Sequence, residues 1–240
     1  MKSNVYMMLE EFFDDTMINI AKKMGYSEDN ILILEDNIDK LKTDYSDVYD
    51  NLKSCKHNRD SRTEIEYAQD LICSWIFEDY LILNLKLYGL EVKLCGTDHE
   101  RKILQSSLVS SKSDMFVKGS NNNKIYIELV NDYRGYWLKY SKIDLRDDKY
   151  LHIKSLSKGV DKSFLLGVDF YNKKFFLFDV NKNQNVKYEA FHYAYKKPVY
   201  TISLKNIVYY DFSFEKICNE IKKELDGDNN EKQNWNRKKI

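Results

Sequence analysis

Ser113 to Asp132, SDMFVKGSNNNKIYIELVND, constrains this chain more than any other stretch. Two apolar runs, Asp114–Lys118 and Lys124–Val130, flank the polar Gly119-Ser-Asn-Asn-Asn123, the composition of a strand, loop and strand hairpin. Folded symmetrically about Asn121, the hairpin sets opposite one another residues whose numbers sum to 242, so Lys118 meets Lys124, Phe116 meets Tyr126 and Asp114 meets Glu128. Directly opposed residues have Cβ atoms about 4.5 to 5.5 Å apart, and like charges so placed are destabilising. A slip of one residue would send one acid to the other face; Asp114 would then merely open a strand and Glu128 would face solvent. Against that, Ile125, Tyr126, Ile127, Leu129 and Val130 surround Glu128 with apolar side chains on both faces, as in a buried strand. A carboxylate there needs a partner, and a divalent cation with oxygen ligands suits two of them.

The rest of the chain narrows the setting. Its 240 residues suffice for one sizeable domain with additions, and 38 bases balance 38 acids, so any attraction for nucleic acid has to be local. Cys55, Cys73, Cys95 and Cys218 lack a Cys-x-x-Cys spacing and the histidines are dispersed, which argues against zinc. There is no basic-then-apolar leader and no apolar run approaching about 18 residues. The expectation is a cytoplasmic protein with reduced thiols and no membrane contact.

Asn4–Met24 carries Val5, Met8, Leu9, Phe12, Phe13, Met17 and Ile20 at helical spacing, with Gly25 as its stop. Ser27 caps a second helix through Leu41, and Ser46 opens a third. With 13 acids against 8 bases, residues 1–60 make a poor surface for phosphate. Ser61-Arg-Thr-Glu64 matches a capping box heading a long helix to about Tyr88. Leu90–Cys95 reads as a first strand, Ser163–Phe170 and Lys174–Val180 as an apolar hairpin, Val199–Leu204 as a further strand and Ser213–Leu225 as a closing helix. Lys149–Ser155 fits either a strand or a helix. The expected fold is α+β, with a helical region over 1–60, a core of α/β/α type over 61–225 and a polar, disordered tail over 226–240.

An acid opening one strand, a loop, a Glu inside the next apolar strand and an acidic helix upstream resemble the PD-(D/E)xK nuclease superfamily, over roughly residues 61–180. That resemblance implies a restriction-endonuclease-like mixed sheet flanked by helices. It also implies hydrolysis of DNA phosphodiester bonds with magnesium, for which manganese can substitute. The nearest case is a type II restriction-type endonuclease acting on double-stranded DNA, with a homodimer as the arrangement that cuts both strands. Structure-selective phage or repair nucleases share the site, and an inactive nucleic-acid-binding module shares the fold. By the resemblance Asp114 and Glu128 are catalytic metal ligands, the Leu129 peptide carbonyl is a third oxygen, and an acid of the upstream helix, Glu66 ahead of Glu64, approaches the metal. The family's lysine two residues after the Glu is Val130 here. Lys142, then Lys139, are the preferred replacements, and Lys112 faces Val130 in the same register. From Arg134 to Lys162, eight bases outnumber four acids and aromatics are interleaved, so Arg134, Tyr136, Trp137 and Arg146 are expected to touch nucleic acid.

Overall fold

The computed structural model describes the backbone of residues 3–55, 62–96, 99–105, 108, 113–119, 123–157, 161–182, 186–193, 196–205 and 207–237, with side chains to 225. The chain is a mixed α+β protein of two units, Met1–Leu81 with Thr97–Ser110, and Ile82–Gly96 with Ser111–Ile240. The division falls within a long helix rather than in the polar stretch near residue 60, where the sequence suggests it.

The first unit is helical: α1 (Asn4–Phe13), α2 (Met17–Met24), α3 (Glu28–Leu34), α4 (Ile38–Asp44), α5 (Ser46–Ser54) and most of α6 (Glu64–Leu87). The single helix expected over Asn4–Met24 is broken because Asp14 turns left-handed (φ 53°) and the Thr16 hydroxyl accepts from the Asn19 N–H, starting a new helix. A similar cap at Asn37, which accepts from the Lys40 N–H, separates α3 from α4. Ser61 lies outside the described residues; the capping box at the head of α6 is built by Thr63 and Glu66. Glu66 Oε2 accepts from the Thr63 N–H at 2.8 Å and Thr63 Oγ1 accepts from the Glu66 N–H at 3.2 Å.

The second unit holds two sheets. The larger has the order β1 (Glu91–Leu94), β2 (Met115–Lys118), β3 (Lys124–Asp132), β5 (Lys162–Asp169), β6 (Lys174–Asp179), β9 (Tyr210–Asp211). β1, β2 and β3 form an antiparallel meander, and β2 meets β3 with Met115 opposite Ile127 and Lys118 opposite Lys124, the register whose numbers sum to 242. β3 then reaches β5 in parallel, a connection that needs a crossover. The crossover consists of α7 (Tyr136–Tyr140), β4 (Lys142–Arg146) and α8 (Asp147–Ser155). β4 joins β8 (Lys197–Ser203) and β7 (Val186–His192) in the smaller sheet, in the order β4-β8-β7. The closing helix α9 (Phe214–Arg237) continues beyond Leu225, where the sequence suggests a disordered tail.

One apolar cluster joins these layers. Ile143, Leu145, Ile202 and Leu204 of the smaller sheet, Trp137, Tyr150 and Ile153 of the helices, and Leu165, Phe176 and Phe178 of the larger sheet are buried together, with Tyr126 and Val130 packed at the margin. In β3 the opposite row, Ile125, Ile127 and Leu129, is buried as well. Glu128 thus lies between Tyr126 and Val130 in a strand covered on both faces. Gly167 of β5 fits the same cluster because a Cβ there would meet the Phe176 ring at 2.0 Å. Gly167→Ala is therefore expected to displace Phe176 and its edge-on contact with Trp137. Overpacking of this kind lowers stability by about 1 to 3 kcal/mol, measurable by urea unfolding. Among the described residues no helix is long and apolar enough to cross a membrane.

Candidate active site

Asp114 stands immediately before β2, where the ladder to β3 ends. Its peptide carbonyl accepts from the Cys95 N–H at 2.9 Å, tying it to β1. Its side chain turns to β3, and Oδ2 accepts from the Leu129 N–H at 2.7 Å. The carboxylate thus continues the ladder with a side-chain oxygen and is fixed beside the peptide that follows Glu128. Glu128 is 1% exposed, a burial that a carboxylate tolerates only with a hydrogen-bonded countercharge. Lys149 of α8 supplies it: its Nζ donates to Glu128 Oε1.

Two acids and one ammonium meet at this point. Burial opposes the charge on Lys149 and Arg146 opposes it further, yet Glu128 and Asp114 prevail and hold its pKa above the usual lysine range. The side chain therefore acts as a cation and a donor. A third of it is exposed (33%), against 2% of the Glu128 side chain. Arg146, the last residue of β4, adds a second cation at the edge and also pairs with Asp148 at 3.4 Å.

The local sequence explains how Lys149 arrives there. Asp147 and Asp148 sit in the first turn of α8 and His152 and Lys154 in the last, the charge order that a helix dipole favours. Tyr150 and Ile153, three apart, enter the apolar cluster. With that face against the sheets, the neighbouring Lys149 is brought over β3.

Not every residue expected at the site is there. Lys142, the first choice for the missing lysine, opens β4 and pairs with Asp144 at 2.9 Å. Four residues of strand, about 13 Å at 3.3 Å each, separate it from Arg146, where the chain enters α8. Lys139 is exposed on α7, its Nζ 5.3 Å from the centre of the Tyr140 ring, and Lys112 lies outside the described residues. Glu66 belongs to the first unit, and its carboxylate is spent on the Thr63 cap, the chief reason its pKa is lowered. Of the residues assigned to nucleic acid, Arg134 and Tyr136 are exposed on and before α7 and Arg146 flanks Lys149. Trp137 is not available: it is buried in the cluster, edge-on to Phe176.

Sequence reasoning missed Lys149 because it is 21 residues beyond Glu128, in the segment that fits either strand or helix. The Asp-Asp start, the basic end and the Tyr150/Ile153 spacing were the signals for a helix with Lys149 beside its buried face.

Among the described residues no three His, Cys, Asp or Glu side chains are arranged to hold a metal ion. Two carboxylates beside one strand peptide nevertheless fit magnesium, which keeps several waters and asks for one or two protein carboxylates. They do not fit a structural zinc. Comparison of the chain with protein-family models, curated proteins and solved structures returns no match.

Proposed function

We propose that this chain is a magnesium-dependent endonuclease that hydrolyses DNA phosphodiester bonds, of restriction type, on a restriction-endonuclease-like core formed by β1–β3, the crossover and β5. The observation that carries the reading is the convergence of Asp114, Glu128 and Lys149, from the start of β2, the middle of β3 and the first turns of α8. The lysine that Val130 lacks is delivered from another element. An antiparallel meander, a helical crossover and a parallel strand also support the fold.

Asp114 and Glu128 would hold the ion, and the Leu129 carbonyl is the neighbouring oxygen. Once bound, magnesium supplies a polarised phosphate and a water of lowered pKa. The Asp114 bond to the Leu129 N–H fixes the first carboxylate before any ligand enters. Lys149 holds the second and offers its remaining donors to the attacking water and the phosphate oxygens, where negative charge grows. Arg146 offers a guanidinium to the flanking phosphate. The bond from water oxygen to phosphorus forms and the bond from phosphorus to the leaving oxygen breaks; the attacking water gives up one proton to bulk water, and the leaving oxygen takes one up from bulk water.

Plasmid cleavage tests the reading. Wild-type protein is expected to cut with magnesium or manganese and not in EDTA, and Asp114→Asn or Glu128→Gln to lower the rate at least about 100-fold. Discrete fragments support a restriction-type enzyme and cutting only at branches a structure-selective one. No cleavage of any DNA with either metal would overturn the enzyme and leave a binding module.

A further inference from the structure

The β7–β8 hairpin was not assigned a role by the sequence, and β7 is not among the strands expected from it. Arg146, at the end of β4, pairs with Val199 of β8, and Val199 also pairs with Glu189 of β7. Past that point β4 has turned into α8, while β7 and β8 continue together to the His192–Lys197 pair. A two-stranded ribbon therefore overhangs the end of β4 from which Lys149 is delivered, with a bulge between Glu189 and His192.

Its side chains are unusual for an edge. Tyr188, Phe191 and Tyr193 are 51%, 65% and 90% exposed, and Lys187, Lys196 and Lys197 are exposed beside them. From Val186 to Ser203 those three lysines face one acid, Glu189, and Glu189 is engaged by the Thr201 hydroxyl at 3.5 Å. Aromatic and cationic side chains on a projecting two-stranded ribbon match one polyanion in shape and charge. The major groove of B-DNA, about 12 Å wide, admits such a ribbon, and phosphates line both of its edges.

We infer that the β7–β8 ribbon enters the major groove of duplex DNA beside the phosphate held at Lys149, with Phe191 and Tyr193 against base edges and Lys196 and Lys197 on phosphates. This deepens the nuclease reading and rests on it: the ribbon is the element that chooses where the site cuts. Arg146 joins the two, paired to β8 on one side and adjoining Lys149 on the other.

Binding of a labelled duplex in EDTA, followed by anisotropy across a salt series, tests the ribbon apart from chemistry. Lys196→Ala/Lys197→Ala is expected to weaken binding about 10-fold and to reduce the slope of log affinity against log salt by about 2, since each phosphate contact contributes about 0.9. Phe191→Ala/Tyr193→Ala is expected to weaken binding by a similar factor with the slope unchanged, and to alter the pattern of cut sites. Duplex RNA of the same sequence, whose major groove is too narrow to read, should bind more weakly.

Unchanged binding and cutting in both variants would overturn the ribbon's role and leave the nuclease reading intact. The expected binding losses without metal-dependent cleavage by the wild type would uphold the ribbon and remove the nuclease. Tighter binding to a single strand than to its duplex would overturn groove entry. So would a ribbon whose variants change only self-association in sedimentation, which would make it a protein contact.

Discussion

Lys149→Met is expected to lower the rate of metal-dependent cleavage by about 10² to 10⁴, the range for removing a positioned donor or proton-handling group. DNA affinity should fall far less than the rate, because the phosphate contacts assigned to Arg146, Lys196 and Lys197 remain. Lys142→Met, at the far end of β4 and paired with Asp144, should leave the rate within about twofold. Lys149→Met also strands Glu128 in its buried row. Breaking a fully buried pair costs about 3 to 5 kcal/mol, but a third of Lys149 is exposed and water screens what remains, so a loss of about 1 to 3 kcal/mol is expected. Adding Glu128→Gln should recover most of that stability and none of the activity. Magnesium should protect Lys149→Met against unfolding more than it protects the wild type, since the ammonium no longer competes for the carboxylates and binding to the folded state adds to its stability. Wild-type cleavage by Lys149→Met would remove the lysine from the chemistry. Equal magnesium protection of wild type, Lys149→Met and Asp114→Asn would remove the metal from this site.

The acids were legible and the lysine was not, for a physical reason. Asp114 and Glu128 are placed by a hairpin whose register depends on a short loop and strict alternation, both written within 20 contiguous residues. The register sum of 242 is the one the strands adopt. Lys149 is placed by tertiary packing: it reaches Glu128 only because β4 crosses into the smaller sheet and α8 folds back with Tyr150 and Ile153 against the cluster. No spacing encodes that return. The same holds for Trp137, whose aromatic neighbours suggest a binding surface but which packs on Phe176. In the helical unit, apolar periodicity revealed helices and hid their breaks, because an apolar face carries on past a left-handed residue such as Asp14. β7 escaped notice since its residues are mostly exposed, and an edge strand with few buried side chains leaves little alternation to read.

Arg101→Met is expected to cost about 3 to 5 kcal/mol of stability. The guanidinium is 12% exposed and meets Glu78 at 2.9 Å through Nη1 and Asp79 through Nε and Nη2. Tyr26 donates its hydroxyl to Asp79 Oδ2 at 2.6 Å, and Asn30 Nδ2 donates to the Arg101 carbonyl at 2.9 Å. Burial disfavours the charge, yet the hydrogen bonds to Asp79 and the charges of Glu78 and Asp79 hold the Arg101 pKa above its ordinary value. Arg101 itself is left-handed (φ 56°), a conformation that costs a non-glycine residue about 1 kcal/mol or more and is kept by the five bonds. One planar fork thus ties the 99–105 segment to α6 and, through Asn30 and Tyr26, to the α2–α3 region. Arg101→Lys should recover less than half of the loss, because an ammonium cannot address two carboxylates in one plane. The triple change Arg101→Met, Glu78→Gln, Asp79→Asn should recover most of it, since the penalty lies in uncompensated charge rather than in a missing attraction. Arg62→Ala, which breaks a more exposed pair with Asp70, should cost about 1 kcal/mol or less. Urea unfolding checks all four, and an Arg101→Met variant within about 1 kcal/mol of wild type would mean that water already reaches Glu78 and Asp79, so that the cluster orders the segment without stabilising it.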